Sequence, residues 1–197
     1  MKYPISYSFI LTGKLNSTIS IPTKDISNFI ILTYYLTRAV RFDFTEDRQY
    51  CVLRLETPIP KLNYCGVTWR TWRERLLSWK LDEDGILQID AAKQGILLIE
   101  ADEMEELIEK LQGLSSRRLN TVMRLYFYIY RNDVVFEGLY QASEAAMAAD
   151  LELDVMTVSR NLTWLINNHL IERSGKYMFS GENPFAYAYN IKKKVLD

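Results

Sequence analysis

The spacing of apolar residues changes several times along the chain, and each change predicts an element. Ser6 to Thr12 alternates apolar and polar around Phe9 and Leu11, and Thr18 to Pro22 carries Ile19 and Ile21. Period-two alternation predicts two short extended segments, read here as a structured arm on a first domain. From Asp25 or Ser27 to Ala39 the spacing becomes helical, with Ile26, Phe29, Ile30, Leu36 and Val40 on one side. Charged residues from Arg41 to Arg48 predict a loop, and Tyr50 to Leu55 a strand ending before Thr57–Pro58. Thr57 to Tyr64 predicts a short helix with Pro58 in its first turn, where proline is tolerated. A second helix follows, capped by Thr68, with Trp72, Leu76 and Trp79 inward. Ile86–Asp90 and Ile96–Ala101 predict a hairpin across residues 91–95, and Glu103–Leu111 an acidic amphipathic helix.

Gly113–Leu114–Ser115–Ser116 is the best candidate joint, dividing the chain into domains 1–112 and 113–197. Beyond it, Arg117–Arg131 predicts a helix with Leu119, Val122, Met123, Tyr126 and Ile129 or Tyr130 inward. Val134–Phe136 reads as a short strand, and Ser143 as the cap of a helix Glu144–Asp150. Asp154 caps the next helix, whose apolar stripe is Val158, Leu162 and Leu165 at i, i+4 and i+7. Ile171–Arg173 and Tyr177–Phe179 flank a tight turn at Ser174–Gly175–Lys176, with a further strand expected at Ala186–Ile191.

The two halves share a spacing. At an offset of 86 residues Thr68 falls on Asp154, Thr71 on Thr157, Trp72 on Val158, Leu76 on Leu162 and Trp79 on Leu165. The order helix, strand, helix, helix, hairpin is thus expected twice. The stretch LELDVMTVSRNLTWLINNHLIER, Leu151–Arg173, resembles the second and third helices of winged-helix DNA-binding domains. Their typical run carries T-V-S-R, three apolar positions and L-I-E-R. The resemblance implies an α+β fold of two tandem winged helix-turn-helix domains, mainly helical with short β-hairpin wings. It also implies double-stranded DNA as the partner. The implied contacts are Thr68, Trp69, Arg70, Arg73 and Lys93 in the first unit, with Thr157, Ser159, Arg160, Thr163, Arg173 and Lys176 in the second. Gly66 suits the turn between the helices, and the outer face of the first copy is the more basic, so the first copy is the expected DNA reader.

Composition narrows the alternatives. Of 197 residues 48% are hydrophobic, enough for a core, and with only 8 Gly and 5 Pro no long disordered segment is expected. No apolar run reaches the roughly 18 residues that span a bilayer. Pro4 and the tyrosines interrupt the apolar patch at the N-terminus, so neither a signal peptide nor a membrane partner is expected, and the expected location is cytoplasmic. Cys51 and Cys65 lack metal-ligand spacing and read as reduced thiols. His169 is the single histidine and pairs with no nucleophile motif; with no phosphate loop, neither an enzyme nor a cofactor is expected.

Charge tempers the DNA expectation. Residues 1–112 hold 14 basic and 16 acidic residues, a net of −2, and residues 113–197 hold 10 and 9, a net of +1. Phosphate contacts supply most non-specific affinity, so any DNA site must be a local basic stripe, with Lys192–Lys194 adding sequence-independent attraction. Tandem winged helices resemble the replication initiators of plasmids and phages; a winged-helix transcriptional regulator, as a homodimer, is the close alternative. From another class, chromosome-condensation accessory subunits are similar and bind a protein partner. Trp69, Trp164, Val155 and Met156 would suit such a scaffold.

Overall fold

A computed structural model describes residues 2–15, 18–45, 48–55, 70–71, 74, 86–90, 96–137, 140–178 and 185–191. The protein is mixed α+β, and the chain divides into two compact units, Met1–Asn120 and Thr121–Asp197.

In the first unit, strand β1 (Lys2–Ser6) runs straight into helix α1 (Tyr7–Thr12). The extended segment expected over Ser6–Thr12 is therefore helical. Three consecutive residues, Ser8, Phe9 and Ile10, are buried, which a half-exposed strand cannot arrange. Gly13 closes α1 at φ 75°, and Ile21 N–H donates to its carbonyl at 2.8 Å. Thr18–Pro22 forms no strand; an isolated bridge pairs Lys14 with Ser20, with Leu15 N–H donating to the Ile19 carbonyl at 3.0 Å.

Helix α2 (Ile26–Leu36) stops earlier than expected. The segment expected as a loop is strand β2 (Thr37–Thr45), antiparallel to β3 (Arg48–Leu55). Val40, Phe42 and Phe44 alternate with Arg41 and Asp43, the pattern of a strand. The start of α2 is tied from far along the chain: the Asn120 side chain accepts from Ser27 N–H at 3.0 Å and donates to the Thr23 carbonyl at 2.8 Å. One of the helix's unpaired N–H groups is thereby satisfied.

The largest correction concerns the expected first wing. Strand β4 (Ile86–Asp90) pairs with β3, giving the sheet order β2-β3-β4. Strand β5 (Ile96–Glu100) pairs instead with β1, so the two strands do not form a hairpin with each other. Burial explains the choice. Tyr3 lies opposite Ile99 and Ile5 opposite Leu97, four buried side chains in matched register, while Leu98 is exposed. Helix α3 (Ala101–Leu111) follows and buries Met104, Leu107, Ile108 and Leu111 on one face, the amphipathic pattern expected of this segment.

Helix α4 (Ser116–Val135) is longer than expected and buried at every position from Leu119 to Tyr130. Val134 and Val135 are its last residues, so no strand forms at Val134–Phe136. The second unit continues with β6 (Gln141–Ala142), α5 (Glu144–Leu151), α6 (Val155–Asn167), β7 (Ile171–Met178) and β8 (Phe185–Ile191). Its sheet order is β6-β8-β7, antiparallel throughout. The turn expected at Ser174–Lys176 is instead an interruption within β7. Ser174 faces Ala188 and Lys176 faces Tyr187, leaving Gly175 at φ 63° as a bulge.

A Cβ at Gly13 would sit 1.9 Å from the Ile21 carbonyl oxygen, whereas one at Gly113 (φ 85°) would meet nothing within 4 Å. Gly13→Ala should destabilise the first unit by about 3 kcal/mol and Gly113→Ala by about 1 kcal/mol. Urea denaturation of the two variants checks this, and equal losses would show that Ile21 yields at no cost.

Candidate nucleic-acid interface

Helix α5 is capped by Ser143, whose hydroxyl accepts from Ala146 N–H at 3.1 Å. The helix ends at Glu152, at φ 54°, with Glu152 N–H donating to Ala149 and Leu153 N–H to Ala148 at 2.8 Å. This bond pair usually closes a helix on glycine; here a glutamate holds the left-handed position. The reason lies in α4. The buried Arg124 guanidinium donates to the Leu151 carbonyl at 3.1 Å, at the negative end of α5. Burial pushes its pKa down, and the Glu152 carboxylate opposes that shift. One turn on, Tyr128 donates to Asp150 at 2.5 Å and receives a bond from Tyr140 at 3.1 Å.

Two residues past Glu152, Asp154 caps α6 as expected. Its carboxylate accepts Thr157 N–H at 2.8 Å and the Thr157 hydroxyl as well. These bonds hold the Asp154 carboxyl below its ordinary pKa of 3.8. At the other end His169 adopts φ 57°, with His169 N–H on Ile166 and Leu170 N–H on Leu165, both at 3.0 Å. The single histidine thus has a conformational role, closing the helix where glycine is the usual residue.

Val158, Asn161, Leu162 and Leu165 form the buried face of α6. On the opposite face Met156, Arg160, Thr163 and Asn167 fall at i, i+4, i+7 and i+11, and all are exposed. Arg160 and Thr163 are expected there. Asn167 is not, although the same helical spacing identifies it. Ser159 lies half-buried on the flank, and Thr157, expected at the interface, turns its hydroxyl to the cap. The Thr163 hydroxyl donates to the Ser159 carbonyl at 3.0 Å.

The hairpin β7–β8 adds a second basic group. Arg173 is exposed, and its guanidinium lies 4.6 Å from the Tyr187 ring centroid, a cation–π contact that orients it. It faces Tyr189 across the ladder, whose phenol burial pushes up to about 12. Lys176 is in register with Tyr187. Exposed Glu152, Asp154 and Glu172 interrupt the positive surface. In the first unit Arg70 is helical and exposed, with Nε 3.3 Å from Glu74 Oε1. Thr68, Trp69, Arg73 and Lys93 lie outside the described residues.

Comparison with family models, characterised proteins and solved structures found no match. Among the described residues no helix is long and apolar enough to cross a membrane, and no group of three or more His, Cys, Asp or Glu is placed to hold a metal.

Two measurements test the scaffold of this surface. Arg124→Met leaves the Leu151 carbonyl without its charged donor and should cost about 2–3 kcal/mol; a loss under about 0.5 kcal/mol in chemical denaturation would remove Arg124 as the clamp. The Asp154 cap contributes in full above pH 3.8 and is lost as pH falls through the lower folded-state value. Thr157→Val should raise the Asp154 midpoint toward 3.8 in a carboxyl NMR titration, and an unmoved midpoint would rule out Thr157 as its cause.

Proposed function

We propose that the chain binds double-stranded DNA through its second unit, with α6 in the major groove and the β7–β8 hairpin against the backbone. The element order α4, β6, α5, α6, β7, β8 supports a winged-helix reading of this unit, the fold that the resemblance of Leu151–Arg173 implies. The observation that carries the proposal is the outward stripe of α6, which presents Arg160, Thr163 and Asn167 on a helix closed at both ends. Arginine reads guanine bidentately and asparagine reads adenine. Arg173 supplies the phosphate contact that sets register.

The proposal is confined to one reading unit. The tandem arrangement requires a wing in the first unit, and β4 and β5 pair in different sheets. Arg70, one of the contacts expected of the first copy, is partly neutralised by Glu74. A replication initiator and a transcriptional regulator would share the physics proposed for the second unit. Val155 and Met156, 46% and 61% exposed, favour the scaffold reading, in which α6 meets a protein.

Fluorescence anisotropy with labelled duplexes across a salt series decides between them. Arg160→Ala with Arg173→Ala should weaken binding at least about tenfold and shallow the slope of log K against log salt by about 1 for each phosphate that is no longer neutralised. Glu103→Ala on α3 should change neither quantity. The absence of any complex at low salt would sink the proposal, and a larger loss from Arg70→Ala with Arg73→Ala would move the site to the first unit.

A further inference from the structure

Met156 is the one apolar member of the outward stripe of α6. It lies in the helix's first turn, 61% exposed, in line with Arg160, Thr163 and Asn167 and opposite the buried face. It plays no part in the cap, which Asp154 and Thr157 make between them. Thr163 adds a second apolar group to the same face. Its hydroxyl hydrogen is committed to the Ser159 carbonyl, so its methyl and hydroxyl lone pairs are what remain for a partner. The exposed carboxylates Glu152 and Asp154 flank the first turn and would repel phosphate, which disfavours a backbone contact there.

We propose that Met156 reads the C5-methyl group of a thymine while Arg160, one turn further along, reads a guanine. The inference rests on the DNA-binding reading above and assigns the base chemistry of that site. The thymine methyl is the apolar group that base edges present in the major groove, and the N-terminal residues of a recognition helix are those nearest the bases. A guanidinium matches guanine N7 and O6. Four steps along the helix place Arg160 about 6 Å from Met156 along the helix axis, which spans at most about two base-pair steps of 3.4 Å. The preferred site therefore holds a thymine within about two base pairs of a guanine.

The test begins with duplexes selected by the full chain from a random library. In a selected duplex each thymine is replaced singly by deoxyuridine, which removes only the methyl, and each guanine by 7-deazaguanine, which removes N7. One or two uridine positions should lower affinity about fourfold, the worth of one buried methyl-sized group. Met156→Ala should abolish the uridine penalty and keep the 7-deazaguanine penalty, while Arg160→Ala should do the reverse. Because Met156 is exposed, helical circular dichroism should be unchanged in Met156→Ala. Tolerance of uridine at every position overturns the inference and leaves DNA binding standing, as does a uridine penalty that survives in Met156→Ala. If Met156→Ala leaves both penalties intact and lowers the sedimentation mass, the residue is a protein contact and the inference falls. Failure to select any duplex overturns the DNA reading itself.

Discussion

The bond from the Arg124 guanidinium to the Leu151 carbonyl ties the last residue of α5 to α4. It lies beside the bonds from Glu152 and Leu153 N–H that close the helix, and the direction of α6 follows from that end. Only the three residues Glu152–Asp154 separate α5 from α6, so the exit direction of α5 sets the direction of α6. A glutamate in the left-handed region costs about 1–2 kcal/mol relative to a right-handed backbone. A charge-assisted hydrogen bond inside the protein is of the same size and offsets it. At the far end of α4, Asp133 accepts from Asn190 Nδ2 and Ile191 N–H, each at 3.1 Å, which fastens β8. One helix therefore positions both the helix pair and the hairpin, and keeps Arg160 and Arg173 in a defined relation.

What is legible in the sequence is local. Ser143 and Asp154 act within three residues of themselves, and both caps form where expected. The stripe Val158, Leu162 and Leu165 and the four buried positions of α3 follow from helical period alone. Glu152 is not legible as a left-handed residue, because glutamate does not signal that conformation, and His169 is only weakly so, histidine being enriched there but far less telling than glycine. Their geometry is enforced by bonds to α4 and to the preceding helix turn, and such enforcement leaves no mark at the residue itself. Gly175 shows the converse: a glycine between two strand-like runs reads as a turn, yet β8 pairs along both sides of it.

In the first unit the apolar pattern misleads wherever pairing is remote. β4 and β5 are neighbours in sequence and predict a hairpin, but β1 presents Tyr3 and Ile5 in register with Ile99 and Leu97. Buried cross-strand contacts of that kind outweigh the shorter loop, since loop-closure entropy grows only slowly with length. In β2 the charges Arg41 and Asp43 conceal a period-two run. The 86-residue offset aligns the apolar spacing of one helix with another. A shared helical period says which face is buried and nothing about how the flanking strands pair, so it does not establish a duplicated domain.

The charge balance constrains how such a surface would hold DNA. With a net charge of −1 and acidic side chains at the start of α6, few counterions would be released on binding. Non-specific affinity would then be weak, and a larger share of the free energy would come from base contacts, which depend on geometry more than on charge. Geometry is what the second unit supplies: α6 is closed at both ends, its direction is set by Arg124, and Arg173 is oriented by the Tyr187 ring. Rigid presentation reduces the ordering cost of each contact. On the proposed function, a near-neutral protein and a tightly held α6 would be parts of one solution, in which discrimination between sequences would be large relative to the affinity for DNA at large.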